Sequence, residues 1–141
     1  STALGIAHAS SGPSFLLTGD LAFLHDANGL LAANHFMGSL TVILINNEGG
    51  GIFEHLPVAG LSAFEKHFAT PQQTDFARLA RAHGASHQLV PKPSELPPLL
   101  QAPPERGIRI LEVRTNRKAD VALRRELLSI DALEPITPCP N

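Results

Sequence analysis

Two short segments of this sequence carry oxygen-bearing residues that could together hold a metal ion. Asp20 follows the apolar run at 14–19 and Asn47 follows the apolar run at 39–46, so the two residues are 27 positions apart, about one β-α-β crossover. If the runs are neighbouring parallel strands, their carboxyl ends meet at the edge of the sheet where ligands bind. A carboxylate, an amide oxygen and the carbonyl of Gly49 suit a hard cation such as Mg²⁺, which prefers octahedral oxygen ligands. The spacing is therefore compatible with a magnesium site.

The glycine run at 49–51 beside these ligands allows two interpretations. It would let the backbone come close to a diphosphate and present successive N–H groups to it, with two diphosphate oxygens and one water completing the shell. Alternatively Asp20 caps a helix and the segment NNEGGG forms a plain tight corner. The glycine count by itself favours the corner, and the pairing of the two strand ends makes the two interpretations equal.

The elements that must position these residues alternate between strands and helices. The run at 39–46 is rich in leucine and β-branched residues without alternation, which is typical of a central parallel strand covered on both faces. Further strands are expected at 14–19, 86–90 and 107–113. Helices are expected at 1–9, after Asp20 (with Phe23, Ala27, Leu30 and Leu31 on one face), between a cap at Thr74 and a stop at Gly84, at 94–101 and at 118–130. The pattern predicts a three-layer α/β/α fold around a parallel sheet, as one domain over residues 1–141.

Composition excludes several classes of protein. The chain has 141 residues, is 43% hydrophobic and has a net charge of −2, without the basic patch that nucleic-acid binding requires. No apolar stretch approaches the roughly 20 residues of a membrane span, and the first residues lack the pattern of a signal peptide. The single Cys139 cannot form an internal disulfide. We therefore expect a cytoplasmic protein that does not bind nucleic acid and has no membrane span.

The quoted segments resemble a known family. GDLAFLHDANG (19–29) followed by LTVILINNEGGGIFEHLP (40–57) resembles the GD…NN diphosphate-binding motif of the thiamine-diphosphate enzymes. Leucine after Gly-Asp, HDANGLL, GGGIFEHLP and FEKHFATPQQTDFARLARAHG resemble one branch, the SEPHCHC synthases of menaquinone and phylloquinone biosynthesis. The resemblance covers nearly the whole chain. It corresponds to the latter part of the family's C-terminal diphosphate-binding domain, so it implies a thiamine-diphosphate-binding fold truncated at its N-terminus.

The resemblance implies a role for individual residues. Asp20 and Asn47 would be side-chain ligands of Mg²⁺ or Mn²⁺, and Gly49 would be a carbonyl ligand. The residues implied in binding thiamine diphosphate are Gly19, Asp20, Leu21, Asn47, Gly49, Gly50, Gly51, Ile52 and Phe53. Ile52, Phe53 and Leu56 would also line the substrate pocket, where an apolar wall disfavours the charged carboxylate of a bound 2-oxo acid.

The activity implied by the resemblance needs more than this chain. The family decarboxylates 2-oxoglutarate on thiamine diphosphate and adds the succinyl semialdehyde unit to isochorismate. Activation uses a glutamate from the pyrimidine-binding domain of a partner subunit, in a homodimer or homotetramer. The resemblance places no catalytic residue within this chain. We therefore expect a C-terminal, cofactor-binding part of a longer transferase that is inactive alone.

Polar residues near the motif receive structural interpretations. Glu48, Glu54 and His55 are expected to face solvent, and Asn46 is expected to orient its neighbour. His25 and Asp26 either support the site or serve helix packing. Asp75 and Glu65 are interpreted as first-turn helix residues that interact with the helix dipole. The histidines without recognisable ligand spacing are His8, His25, His35, His67, His83 and His87.

Two other functions stay open at this point. One is a different thiamine-diphosphate carboligase or decarboxylase, such as an acetolactate-synthase-like enzyme, against which GDL and GGGIFEHLP argue. The other is a non-catalytic phosphate-binding module with a doubly wound fold.

Overall fold

The computed structural model describes residues 1–128 of the chain. The strands are β1 (Ser14–Gly19), β2 (Ser39–Asn46), β3 (Ser86–Val90) and β4 (Gly107–Arg114). The α-helices are α1 (Thr2–Ala9), α2 (Asp20–His25), α3 (Phe76–Ala82), α4 (Leu96–Gln101) and α5 (Arg117–Leu128). Short 3₁₀ segments span Ala27–His35, Gly51–His55, Pro57–Gly60 and Pro93–Glu95, and a π-helical turn spans Glu65–Ala69. Cys139 and the last two residues of the predicted C-terminal helix lie outside the described residues.

The four strands form one parallel sheet in the order β1-β2-β4-β3. β2 lies between two neighbours and is buried along almost its whole length, which confirms the prediction that it is central. One face packs Leu40, Val42 and Leu44 against α1, α2 and α3. The other face packs Ile43 and Leu111 against residues of α4. The predicted three-layer α/β/α architecture is therefore confirmed.

β1 differs from β2 because it is an edge strand of the described sheet. Its side chains alternate between partly buried and exposed. Leu16 packs on the core, whereas Phe15 and Leu17 on the opposite face are 48% and 69% exposed. Only one face of β1 is therefore covered within residues 1–128.

Two details of the predicted helices are corrected by the structure. The helix that follows β1 stops at His25 and the chain continues as a 3₁₀ segment, leaving Leu31 69% exposed. Asn28-Gly29, a pair that favours turns, lies in that segment. The cap of α3 is Asp75 and not Thr74, because the Asp75 carboxylate accepts the Arg78 N–H at 2.9 Å. Gly84 (φ +73°) ends this helix as predicted. None of the helices within residues 1–128 has the length and apolar character that a membrane crossing needs.

Candidate functional site

The two polar strand ends meet, as their spacing predicts. Gly19 of β1 lies beside Ile45 of β2 in the parallel register, which brings Asp20 to the turn that follows β2. Asp20 is only 3% exposed. Its Oδ1 accepts the Leu21 N–H at 2.7 Å and its Oδ2 accepts the Gly49 N–H at 2.8 Å. One buried carboxylate thus ties the end of β1 to the turn after β2.

The turn at 46–51, called here the motif turn, has an unusual backbone. Asn46 Oδ1 accepts the Glu48 N–H at 3.1 Å, forming an Asx turn in which Glu48 has φ +58°. Gly49 has φ +133°, and a Cβ at that position would lie 2.2 Å from the Ala69 carbonyl oxygen. Both the backbone angle and the close approach of a second chain segment require glycine there.

The glycine N–H groups do not form the anion cradle that the sequence suggests. Gly49 donates to Asp20, Gly50 donates to the Ala69 carbonyl at 2.7 Å, and Gly51 donates to the Gly49 carbonyl at 2.9 Å. In this structure all three N–H groups have acceptors within the protein, and contact of this run with a diphosphate stays a prediction. The physical reason is that buried N–H groups need acceptors, and here they find them within the protein: in Asp20, in the Ala69 carbonyl and in the turn itself.

Asn47 supplies a polar atom that lacks a partner in the protein. Its Oδ1 is buried and accepts no hydrogen bond within the described residues. Its Nδ2 side lies against the backbone of Gly51, where a Cβ would come within 2.6 Å of it. A buried oxygen without a partner is destabilising unless a donor or a cation meets it. This oxygen, close in the chain to the acidic Asp20–Gly49 contact, fits the oxygen ligands that a hard divalent cation prefers.

A cation at this position would have few acidic ligands. Within residues 1–128, no group of three or more His, Cys, Asp or Glu residues could hold a metal ion. The available set is one carboxylate (Asp20), one amide oxygen (Asn47) and the Gly49 carbonyl, which already accepts one N–H. Such a set suits a cation that receives further oxygen ligands from a bound phosphate group.

The apolar residues after the motif turn separate into two groups. Ile52 and Leu56 are 74% and 47% exposed. They line a groove of about 640 Å³ together with His55, Arg124, Arg125 and Leu128. A smaller cavity of about 290 Å³ joins Ile52 and Arg124 to Asn47 and Gly51. The structure therefore brings Ile52 and Leu56 to one groove that continues toward Asn47.

Phe53 lies apart from that groove. Its ring packs edge-on against Phe68 at 6.1 Å between centroids, and Phe68 stacks on Phe64 at the same centroid distance. These aromatic contacts build the segment at 52–70, called here the aromatic loop.

Glu54 corrects a prediction, because it is buried and does not face solvent. It is 8% exposed, its carboxylate is paired with Arg117, and its carbonyl accepts Arg125 Nη2 at 3.0 Å. Glu65 also pairs with Arg117, and its Oε1 lies 3.5 Å from Lys118 Nζ. It lies in the first turn of the π-helical segment, as predicted, and has these ion pairs in addition. The hydrogen bonds from Arg117 hold the pKa of Glu65 below its usual value. Glu48 and His55 are exposed, as predicted.

Glu112 belongs to a network that sequence reasoning missed. This β4 residue is 1% exposed. Its Oε1 accepts Asn46 Nδ2 and Arg114 Nε, both at 2.8 Å, and its Oε2 lies 2.7 Å from His87 Nε2. Burial opposes ionisation of Glu112, but the hydrogen bonds from Arg114, Asn46 and His87 outweigh it, so its pKa lies below the usual value. The available signal was an acid inside the otherwise apolar run ILEV.

His25 and Asp26 do not contact the motif turn in any hydrogen bond or ion pair of residues 1–128. His25 is exposed. The Asp26 carboxylate accepts the Ser1 hydroxyl at 2.6 Å. These contacts therefore give no evidence that His25 or Asp26 supports the site.

The sequence and the fold of this chain are similar to those of known proteins. The family described as "Thiamine pyrophosphate enzyme, C-terminal TPP binding domain" matches residues 1–113. The chain belongs to this family. Solved structures of other proteins share the fold: the thiamine diphosphate-dependent 4-hydroxybenzoylformate decarboxylase of Rhodococcus jostii has a TM-score of 0.64 at 24% identity, over 81% of this chain and 22% of that one. Benzoylformate decarboxylase of Polynucleobacter necessarius has a TM-score of 0.63 at 20% identity, over 74% and 20%.

Relatives of higher identity carry one name. The 2-succinyl-5-enolpyruvyl-6-hydroxy-3-cyclohexene-1-carboxylate synthases of Trichormus variabilis and a Nostoc species are 53% and 52% identical over 137 residues, which is 96% of this chain. The same enzyme of a Synechococcus species is 52% identical over 127 residues, or 89% of the chain. The chain spans 21–23% of the length of these family members.

Proposed function

We propose that this chain is the C-terminal, cofactor-binding part of a SEPHCHC synthase and that residues 1–141 belong to one domain. That enzyme would decarboxylate 2-oxoglutarate and add the succinyl semialdehyde unit to isochorismate in menaquinone or phylloquinone biosynthesis. Identity of 52–53% to relatives of that name supports this assignment over other members of the family. The observation that carries it is the juxtaposition of buried Asp20 with the motif turn, where the Asn47 oxygen lacks a protein partner.

In this proposal the two strand ends hold a divalent cation, Mg²⁺ or Mn²⁺. Asp20 supplies the negative charge, and Asn47 Oδ1 and the Gly49 carbonyl supply neutral oxygens. The donor set fits because all three are hard oxygen ligands and because the Asn47 oxygen is otherwise unsatisfied. Gly19, Leu21, Gly50 and Gly51 would lie against the diphosphate that the cation binds.

The remaining residues of the proposed site orient the cofactor and exclude water. When bound, thiamine diphosphate supplies the carbon nucleophile and electron sink that decarboxylation of a 2-oxo acid requires. Ile52 and Phe53 would lie near its reactive ring, and Ile52 and Leu56 would form an apolar wall of the substrate pocket. Such a wall disfavours the charged carboxylate of the substrate relative to a less charged transition state.

The other half of the proposed active site lies outside this chain. We infer that a pyrimidine-binding domain of a partner subunit supplies the glutamate that activates the cofactor, in a cytoplasmic homodimer or homotetramer. In support, the chain spans less than a quarter of its relatives' length.

The test is an assay of the intact enzyme with 2-oxoglutarate and isochorismate, in the presence of Mg²⁺ and thiamine diphosphate. We expect CO₂ release and formation of the SEPHCHC product. An enzyme that couples pyruvate to itself and ignores isochorismate would be an acetolactate-synthase-like carboligase. Absence of CO₂ release from every 2-oxo acid, with retained phosphate binding, would favour a non-catalytic module.

The isolated 141-residue chain provides a second test. Supplied with the same substrates, cofactor and Mg²⁺, it is expected to show no turnover, because no activating glutamate is available to it. Turnover by the isolated chain would contradict the proposal that the active site is shared between domains.

A further inference from the structure

A buried acid that contacts none of the proposed ligands lies one step behind the metal site. Glu112 is opposite Leu44 in the register of β2 and β4, so its side chain shares a face of the sheet with Leu44 and Asn46. On that face its carboxylate accepts Asn46 Nδ2 at 2.8 Å. The proposed site uses Asn47 and does not use Glu112.

We propose that Glu112 is the positioning residue of the cation site: it fixes the amide of Asn46, which sets the motif turn and thereby places the Asn47 oxygen and the Gly49 carbonyl. This inference rests on the proposed function, because it concerns the same cation site.

The Asn46 amide is held in one orientation by contacts at both of its polar atoms. Its nitrogen donates to Glu112 and its oxygen accepts the Glu48 N–H. A flipped amide would place its oxygen against the Glu112 carboxylate and its nitrogen against a backbone donor, so both contacts would be repulsive. The charge on Glu112 therefore selects one orientation of Asn46.

The Asn46 side chain in turn fixes the backbone that carries the proposed ligands. The Asn46 oxygen stabilises the left-handed backbone of Glu48 (φ +58°), a conformation that is uncommon for a residue with a side chain. Asn47 lies between these two fixed residues, and Gly49 follows directly with its N–H on Asp20. The backbone of Asn46 is also held, because its carbonyl accepts the Thr115 N–H at 3.0 Å. The backbone between Asn46 and Gly49, which carries the proposed ligands, is therefore held by hydrogen bonds at both ends.

Stability alone does not explain why a carboxylate occupies this place in the core. A buried ion pair gives little net stability, and apolar residues of similar size often replace one at no cost. Arg114, His87 and Asn46 surround Glu112 with hydrogen bonds, so its charge is compensated and maintained. Fixing the geometry of a neighbouring polar group beside a metal site is an established use of such a residue.

The experiment compares variants of the intact enzyme by the Mg²⁺ concentration that half-saturates binding of thiamine diphosphate, measured by calorimetry. Glu112→Ala is expected to raise this concentration about 10–100-fold, the usual effect of removing a residue that orients a metal ligand. Asn46→Asp alone is expected to do the same, because it places two carboxylates against each other. The double variant Asn46→Asp/Glu112→Gln exchanges acceptor and donor at unchanged net charge. It is made in an Arg114→Ala background, because Arg114 Nε donates to the same Oε1 and would otherwise face the new amide nitrogen. It is expected to recover affinity to within about threefold of that background, since it rebuilds the hydrogen bond.

A matched control is Glu105→Ala, which removes an exposed carboxylate that takes no part in this network. Its Mg²⁺ requirement should stay close to that of the native enzyme. Amide hydrogen exchange of the cofactor-free enzyme gives a readout independent of binding. Glu112→Ala should accelerate exchange at the Glu48 and Gly49 amides more than in the centres of β2 and β4, whereas a purely structural role would accelerate exchange throughout the sheet.

The outcomes separate this inference from the proposed function. If Asp20→Ala reduces Mg²⁺-dependent binding but Glu112→Ala changes it less than threefold, or the double variant does no better than Asn46→Asp in the same background, the positioning role is wrong and the cation site stands. If Asp20→Ala has no effect, both are wrong. Loss with Glu112→Ala and recovery in the double variant establish the role.

Discussion

The motif turn and the aromatic loop are consecutive in the chain but are held by different forces. In the motif turn, the Asn46 amide oxygen accepts the N–H of Glu48, two residues later in the chain. The Asp20 carboxylate accepts the N–H of Gly49 across one β-α-β crossover. The aromatic loop is anchored by Arg117 of α5, which pairs with Glu54 and Glu65 from 63 and 52 residues away. Ile52 in that loop is 74% exposed, whereas Asp20 is 3% exposed.

The difference indicates what each region contributes to a shared site. A turn fixed by buried hydrogen bonds and required glycines presents its oxygens in one geometry, as a metal with strict octahedral demands requires. A loop anchored through charges on a distant helix depends on how that helix docks. We therefore expect loss of the turn's cation ligand to act on cofactor affinity and loss of the loop's Arg117 anchor to act mainly on local stability.

The strongest test of the turn's role is Asp20→Ala in the intact enzyme. The variant loses the only acidic ligand of the proposed cation site and the acceptor of the Gly49 N–H. We expect Mg²⁺-dependent affinity for thiamine diphosphate to fall by well over tenfold, because changes to residues behind a metal site already cost about 10–100-fold. Calorimetric titration measures this, with Asp26→Asn as a control at an exposed carboxylate of the same segment. Unchanged affinity would remove the metal assignment.

A steric change tests whether the turn has only one geometry. Gly49→Ala is expected to destabilise the protein by at least about 1–3 kcal/mol, because φ is +133° and the new Cβ would lie 2.2 Å from the Ala69 carbonyl oxygen. Gly60→Ala is the matched control, since a Cβ there meets no atom within 4 Å. Thermal unfolding compares the two. Equal midpoints would show that the turn tolerates a second geometry.

Sequence reasoning succeeded where interactions are local or follow from strand order. The run at 39–46 predicted a central strand, and Asp20 and Asn47 at crossover spacing predicted that two strand ends meet. The α3 stop at Gly84 was also local. These features depend on residues within one β-α-β unit, so pattern and spacing contain them.

Sequence reasoning failed where partners are distant or where neighbours compete. Glu54 is surrounded by polar and glycine residues and therefore suggests a solvent-facing loop, but Arg117, 63 residues later, buries it. Glu112 finds Asn46 only after β4 has paired with β2. At the start of α3, Thr74 and Asp75 are both good caps, and the backbone selected Asp75. The Gly50 N–H found its acceptor at the Ala69 carbonyl, which no local pattern reveals.

The loop's dependence on α5 is tested by Arg117→Ala. The change leaves the Glu54 carboxylate, whose side chain is 10% exposed, without its partner. We expect a loss of about 1–3 kcal/mol, the usual effect of an unsatisfied buried acceptor. Glu65→Ala removes the half-exposed partner of the same arginine and should have a smaller effect. Comparison of unfolding midpoints decides, and a larger effect of Glu65→Ala would contradict the view that burial of Glu54 anchors the loop.

Acid sensitivity provides a finer comparison, because a glutamate whose pKa is lowered in the folded protein contacts the turn (Glu112) and another lies in the loop (Glu65). Hydrogen bonds from Arg117 lower the pKa of exposed Glu65, and those from Arg114, Asn46 and His87 lower the pKa of buried Glu112 against the effect of burial. In both cases the stabilisation is fully present above the ordinary glutamate pKa of about 4.3. It is lost as the pH falls through the lower folded-state pKa. Unfolding midpoints measured between pH 7 and 3 should fall less steeply in Glu65→Gln and in Glu112→Gln than in the native protein.

In 1 M salt, where the screening length is about 3 Å, the difference made by Glu65→Gln should shrink while that made by Glu112→Gln persists. An equal response of the two variants to salt would show that the buried network near the turn and the exposed pair on the loop are not held by different forces.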